Sequence, residues 1–170
     1  MEHEEQEGIA YLGIDPGVSG GICIIYTQRG TPPTMIHGKC GATPHDMAWS
    51  ISTPMDNLRD DYGITHWVAG IEKVHSFPGQ GVASTFKFGM NYGTWVGILT
   101  SLPISYRMIT PHTWMKHYGT MPKDKTDRKN YIKSLAQCIY PDSNRITLAT
   151  SDAILIAHYT MQHDQGKKFV

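Results

Sequence analysis

The chain has 170 residues, 40% hydrophobic and 18% charged, and its 15 Lys and Arg balance its 15 Asp and Glu. That composition fits one ordinary globular domain with a buried core and argues against a disordered chain. No run of about 18 apolar residues marks a membrane-spanning helix, and the widely spaced Cys23, Cys40 and Cys138 form no CxxC zinc or redox pair. Buried thiols in a reduced compartment are expected. A cytoplasmic location fits, as does an organelle.

The N-terminus carries Glu2, Glu4, Glu5 and Glu7. It lacks the basic-then-apolar pattern of a leader, and residues 1–8 are expected to form a flexible acidic tail. Apolar runs predict strands over 9–15, 21–27 and 33–37, then a helix over 44–60 and a strand over 66–72. A glycine-containing loop at 75–81 leads into a long helix over 82–101. A strand over 104–109 follows, then helices over 111–118, 124–139 and 150–162, and a short tail at 163–170. Three strands followed by alternating helix and strand predict an α/β layer fold with a mixed sheet. No internal repeat or linker divides residues 9–162.

Three acids stand in apolar settings. Asp15 ends the run Tyr11-Leu12-Gly13-Ile14 just before a glycine-rich turn, Glu72 ends Trp67-Val68-Ala69-Gly70-Ile71, and Asp152 opens Ala153-Ile154-Leu155-Ile156-Ala157. A carboxylate in such a place is costly unless a cation or a functional cleft compensates it. Carboxylates on separate rigid elements are what a divalent-metal nuclease uses to hold hard cations. Asp152, Leu155, Ile156 and Tyr159 share one helical face, which would hold the acid over the sheet. Complementing the helix dipole is the other role open to Asp152.

The predicted long helix carries two stripes. Phe88, Tyr92, Trp95, Leu99 and Leu102 make an apolar face. Gly89, Gly93 and Gly97 recur every four residues, and each glycine costs a helix interior about 1 kcal/mol relative to alanine. Close approach of another backbone explains them, either the protein's own sheet or a symmetry-related helix. Charge is segregated too: without the tail glutamates the remainder carries about +4. Between Ser105 and Arg145, the eight basic residues Arg107, Lys116, Lys123, Lys125, Arg128, Lys129, Lys133 and Arg145 are set against only Asp124, Asp127 and Asp142. Such an excess suits a polyanion such as nucleic acid, or simply a solvated helix face.

In order, Gly13-Ile14-Asp15-Pro16-Gly17, Ile71-Glu72-Lys73-Val74 and Ser151-Asp152-Ala153-Ile154-Leu155-Ile156-Ala157 resemble a RuvC-type Holliday-junction resolvase of the ribonuclease H-like superfamily. The compact phage and bacterial forms are the most similar. They share the pattern written here Glu72-Lys73-Val74-His75-Ser76-Phe77-Pro78-Gly79-Gln80-Gly81 and, after the glycine-bearing helix, Pro111-His112-Thr113-Trp114-Met115-Lys116. The resemblance spans residues 9–162.

The resemblance implies a ribonuclease H-like fold with a mixed five-stranded sheet flanked by helices. It implies an endonuclease that cuts four-way or other branched DNA, works as a homodimer and needs no membrane. Asp15, Glu72 and Asp152 would hold two Mg²⁺ ions, with Mn²⁺ a possible substitute. Lys116 and Lys125 would act near the scissile phosphate. His75, Phe77, Lys116, Lys123, Lys125, Lys129 and Lys133 would bind DNA, Phe77 by stacking on bases opened at the junction centre, with His75 as second choice. One departure stands out: the family's fourth ligand precedes the last acid by one helical turn, and that position here is Ala149. His158 lies off the Asp152 face. Other ribonuclease H-like nucleases, acting on RNA–DNA hybrid, RNA or flaps, share the acids, and a junction-binding module with weak catalysis would keep the basic surface. A sugar-kinase-like domain would need a longer, duplicated chain and has no Gly-Lys-Ser/Thr phosphate loop here.

Overall fold

The computed structural model describes residues 8–76, 78–143 and 145–164. Its elements follow the predicted order: β1 (Ile9–Asp15), β2 (Gly21–Thr27), β3 (Thr34–Lys39), α1 (Pro44–Tyr62), β4 (His66–Glu72), α2 (Val82–Ser101), β5 (Ser105–Ile109), α3 (Pro111–His117), α4 (Lys125–Ile139) and α5 (Ser151–Gln162). The five strands form one mixed sheet in the order β3-β2-β1-β4-β5. β2 is antiparallel to β1 and β3, whereas β4 is parallel to β1 and β5.

Alternation along the strands sorts the core into two layers. Ala10, Leu12 and Ile14 of β1 pack with Met47, Ile51 and Leu58 of α1 and Trp95 and Leu99 of α2. On the other face Tyr11, Cys23, Ile25 and Val68 pack with Trp114 of α3, Ile132 and Ala136 of α4, and Ala153–Ala157 of α5. Helix α5 is buried on all sides over 151–157 because it lies between the sheet and α3 and α4. Gly13 makes this possible. A Cβ there would run into the Ala153 carbonyl and the Ala157 backbone.

The ends differ slightly from the predicted ones. β3 continues to Lys39 because Gly38 and Lys39 still pair with Ile22 and Gly21. α1 runs to Tyr62, where Gly63 closes it in the left-handed conformation at φ 66°. Asp124 and Thr150 stand just outside their helices as caps rather than inside them. Of the thiols expected to be buried, Cys23 and Cys40 are, but Cys138 is exposed. The two explanations left open for the glycine stripe are now separated. A Cβ on Gly89, Gly93 or Gly97 would meet nothing within 4 Å, so these residues face away from the sheet. Among the described residues, no helix is long and apolar enough to cross a membrane. The tail expectations for 1–7 and 165–170 fall outside the described residues.

Candidate active site

Strand register brings two of the three acids together. β1 and β4 run parallel with Gly13 beside Gly70 and Ile14 beside Ile71. Asp15 and Glu72 are therefore the next residues on neighbouring strands, at the same end of the sheet. Two-residue alternation turns both toward the face that α5 covers, since Tyr11 and Val68 already point there. Asp152 sits in the first turn of α5 above that end, only 4% exposed. After Asp15 the chain turns sharply: Gly17 adopts φ 114° and donates its N–H to Asn91 Oδ1 of α2 at 2.9 Å. The Cys40 thiol donates to the Asp15 carbonyl at 3.3 Å, tying the end of β1 to the chain after β3.

The acids share one electrostatic field. Burial, then the charges of Asp152 and Glu72, raise the Asp15 carboxyl to about 8, against a smaller lowering influence from Lys129. Burial also raises Glu72; the bond from Trp114 opposes the rise, Asp152 adds to it and Lys129 again opposes it. Trp114 Nε1 donates to Glu72 Oε2 at 2.7 Å, and the indole is fully buried. Lys129 Nζ donates to Asp152 Oδ2 at 2.8 Å. Burial by itself would lower the Lys129 ammonium, but Asp152 and then Asp15 and Glu72 outweigh it and raise it. One ammonium thus stands among three carboxylates.

Among the described residues, no three His, Cys, Asp or Glu side chains form a ready-made metal-binding group. The donor chemistry nonetheless fits a hard divalent cation: all three side chains supply oxygen, and Mg²⁺ takes few protein ligands because it keeps several waters. An acid raised to about 8 by burial and then by Asp152 and Glu72 stands in a place short of positive charge that Lys129 does not fully supply. Ala149, where a fourth ligand would stand, presents only a methyl group, and its carbonyl packs where a Cβ on Gly21 would lie. His158 lies elsewhere, its Nδ1 bonded to the Tyr118 hydroxyl at 2.9 Å.

The lysines separate into different environments. Lys125, Lys129 and Lys133 do form a stripe on α4, but Lys129 turns inward to the acids while Lys125 is exposed and Lys133 half-buried. Lys116 and Lys123 are exposed and line a groove of about 490 Å³ with His112 and Arg128. Arg128 braces it by donating to the Pro122 and Lys123 carbonyls at 3.2 and 3.0 Å. His75 is exposed on the loop that follows Glu72, and Phe77 lies outside the described residues. Two participants were missed as such. In the sequence Lys129 stands only as one DNA-binding lysine of a basic stripe, with nothing to pair it with Asp152. Trp114 was read only as part of a motif, although a buried indole N–H requires an acceptor.

No protein-family model matches the chain, and no curated protein matches it. Solved structures do. Thermus thermophilus RuvC in complex with Holliday junction substrate is 11% identical, with a TM-score of 0.52 over 94% of this chain and 97% of that one. A second Thermus thermophilus RuvC structure is 13% identical, with a TM-score of 0.52 over 95% and 97%. The mixed sheet, its flanking helices and this near-complete overlap give the chain the RuvC-type, ribonuclease H-like fold.

Proposed function

We propose that the protein is a metal-dependent endonuclease that cuts branched DNA, four-way junctions above all, as a homodimer. The observation that carries this reading is the meeting of Asp15, Glu72 and Asp152 at one end of the sheet, with Lys129 as their only close cation among the described ion pairs. The fold shared with a resolvase solved on its junction substrate supports the substrate class.

Asp15, Glu72 and Asp152 would hold the divalent ions, Mg²⁺ in the first instance and two per site. Such ions activate the attacking water and stabilise the leaving oxygen of an in-line displacement. Trp114 fixes the Glu72 carboxylate and favours its ionised form. Lys129 holds the Asp152 carboxylate in place by its own bond, so two of the three acids are oriented before substrate arrives. Lys116, Lys123, Lys125 and Lys133 would grip phosphates without reading sequence. His75, on the loop after Glu72, and Phe77, two positions further along the sequence, would meet bases exposed where the arms cross.

The test is incubation of the purified protein with four-way, flap, RNA–DNA hybrid and linear duplex substrates, in Mg²⁺ or in EDTA. Four-way junctions should be cut only with metal, and binding should weaken steeply as salt rises. Asp15→Asn, Glu72→Gln and Asp152→Asn should each abolish cleavage while leaving junction binding nearly intact. Cleavage surviving in the Asp15 variant, or a preference for hybrid over junction, would overturn the reading.

A further inference from the structure

At the end of α5 away from Asp152, rings from two helices form a cluster. His117 is the last residue of α3, and His163 follows α5 directly as its cap. Their ring centroids are 4.7 Å apart at an interplanar angle of 77°. Tyr159, one turn before His163, stacks on it at 4.1 Å and meets His117 edge to face at 5.4 Å. His117 is exposed and His163 half-buried, so the pair can be reached from solution.

Hydrogen bonding fixes how His163 presents itself. Its Nδ1 lies 2.9 Å from the Tyr159 carbonyl oxygen. A carbonyl only accepts, so Nδ1 carries the proton and the lone pair is left on Nε2. A ring held by a backbone carbonyl through one nitrogen, with the other unprotonated, is how proteins orient a metal-binding histidine. Burial, and after it His163, lowers the His117 imidazole from its ordinary value, so this ring too is uncharged at neutral pH. Two imidazoles that bind one ion through nitrogens ~2.0–2.1 Å from it hold their centroids about 5 Å apart. The observed spacing needs only a small rotation of the exposed His117 side chain to meet that.

The neighbouring groups have other partners. The Tyr118 hydroxyl donates to the Leu155 carbonyl at 2.7 Å, so His158 Nδ1 must donate to that hydroxyl at 2.9 Å, and its Nε2 faces Gln162 Nε2 at 3.5 Å. The Asp164 carboxylate accepts from the Tyr11 hydroxyl, and the Arg107 guanidinium lies over the Tyr159 ring at 5.9 Å. Among the described residues no third His, Cys, Asp or Glu completes a metal-binding group, so water would fill the remaining positions. Two imidazoles without a carboxylate select a transition ion such as Zn²⁺ over Mg²⁺. We propose that His117 and His163 form a two-histidine site for a Zn²⁺-like ion that fastens the end of α3 to the end of α5. The site does not depend on the nuclease reading. What it joins nonetheless bears on the acids: α3 carries Trp114, bonded to Glu72, and α5 carries Asp152.

The probe is Zn²⁺ itself, titrated calorimetrically into the natural protein and into His117→Phe and His163→Phe. Phenylalanine keeps the ring packing and removes the nitrogens. Binding at the pair should weaken about tenfold or more in each variant, the least that losing even an orienting partner of a ligand costs. The double variant should lose no more than either single one, because one ion needs both rings. Zn²⁺ should raise the melting temperature of the natural protein and leave both Phe variants unmoved. Asp15→Asn should keep this rise, which separates the site from the acids. In imidazole NMR spectra the His117 and His163 signals should shift together on adding Zn²⁺, and those of His158 should stay. Where the phenylalanines disturb folding, His117→Gln on the exposed side replaces them with the same expected loss. Zn²⁺ affinity unchanged in the ring variants, or lost in Asp15→Asn instead, overturns the proposal. So does a loss confined to one of the two histidines, which would reduce the pair to a lone surface ligand.

Discussion

Lys129 Nζ stands 2.8 Å from Asp152 Oδ2, linking α4 to α5 at the end of the sheet where β1 and β4 deliver Asp15 and Glu72. The Asp152 side chain is 6% exposed and that of Lys129 37%. Removing the ammonium leaves a nearly buried carboxylate beside two others. Breaking a fully buried pair costs about 3–5 kcal/mol. Water reaches Lys129, so Lys129→Met should cost the metal-free protein about 1–3 kcal/mol. Thermal melting in EDTA measures this. The loss should shrink in the Asp152→Asn background, because the unpaired charge is then gone. An unchanged melting temperature in Lys129→Met would show that the ion pair does not support the fold.

The indole of Trp114 holds Glu72 by one bond of 2.7 Å. Trp114→Phe keeps an aromatic ring in the buried site but removes the N–H, and with it the main influence opposing the upward shift of Glu72. A hydrogen bond to a charged group contributes about 1.5–3 kcal/mol. The acidic limb of the rate–pH profile should therefore move upward in pH. A variant that loses rate equally at every pH would show that Trp114 serves packing alone.

Asp15 gives the metal-free protein an unusual pH dependence. Its carboxyl is raised in the folded state to about 8 from an ordinary 3.8, first by burial and then by Asp152 and Glu72. The folded chain therefore holds this proton more tightly than the unfolded chain. Its stabilising contribution is complete below about pH 4 and is lost as pH rises toward 8. Glu72, also raised, acts in the same sense. In EDTA the contribution of this site should weaken between pH 5 and pH 8 by an amount on the order of a few kcal/mol. Asp15→Asn should flatten that slope, and Mg²⁺ should restore stability at pH 8. Equal slopes for Asp15→Asn and the natural protein would contradict the shared field.

Strand content and element order were readable because apolar runs of fixed period carry them. Ala10, Leu12 and Ile14 against Tyr11 and Gly13 define the two faces of β1 before any tertiary contact is known. The same alternation made Asp15 and Glu72 conspicuous, since each ends an apolar strand with a charge. What could not be read was direction across space. The spacing of Lys125, Lys129 and Lys133 shows a stripe, but only the packing of α4 against α5 shows that Lys129 points at Asp152. Trp114 and Glu72 are 42 positions apart, a pairing that no local pattern encodes. The direction of Gly89, Gly93 and Gly97 depended in the same way on which side of α2 met the sheet.

That direction bears on the proposed dimer. Trp95 and Leu99 bury one side of α2, while Gly89, Gly93 and Gly97 open onto free space. Val82, Phe86 and Met90 are exposed by 87%, 67% and 59% on the same helix. A strip without side chains beside protruding apolar ones lets a second α2 approach closely and bury those side chains. A two-fold pair would present one set of Asp15, Glu72 and Asp152 to each of two strands of a junction, the condition for paired cuts. Gly93→Leu should fold normally, because nothing lies within 4 Å of its Cβ position, and even gain helix propensity. It should nonetheless hold the two helices apart and give a monomer of 19.0 kDa. On a junction it should produce single nicks in place of paired incisions, read on a supercoiled cruciform plasmid as nicked circles instead of linear product. Light scattering of the natural protein that reports a monomer even on junction DNA would overturn the dimer. So would a folded, dimeric Gly93→Leu variant that still linearises the plasmid.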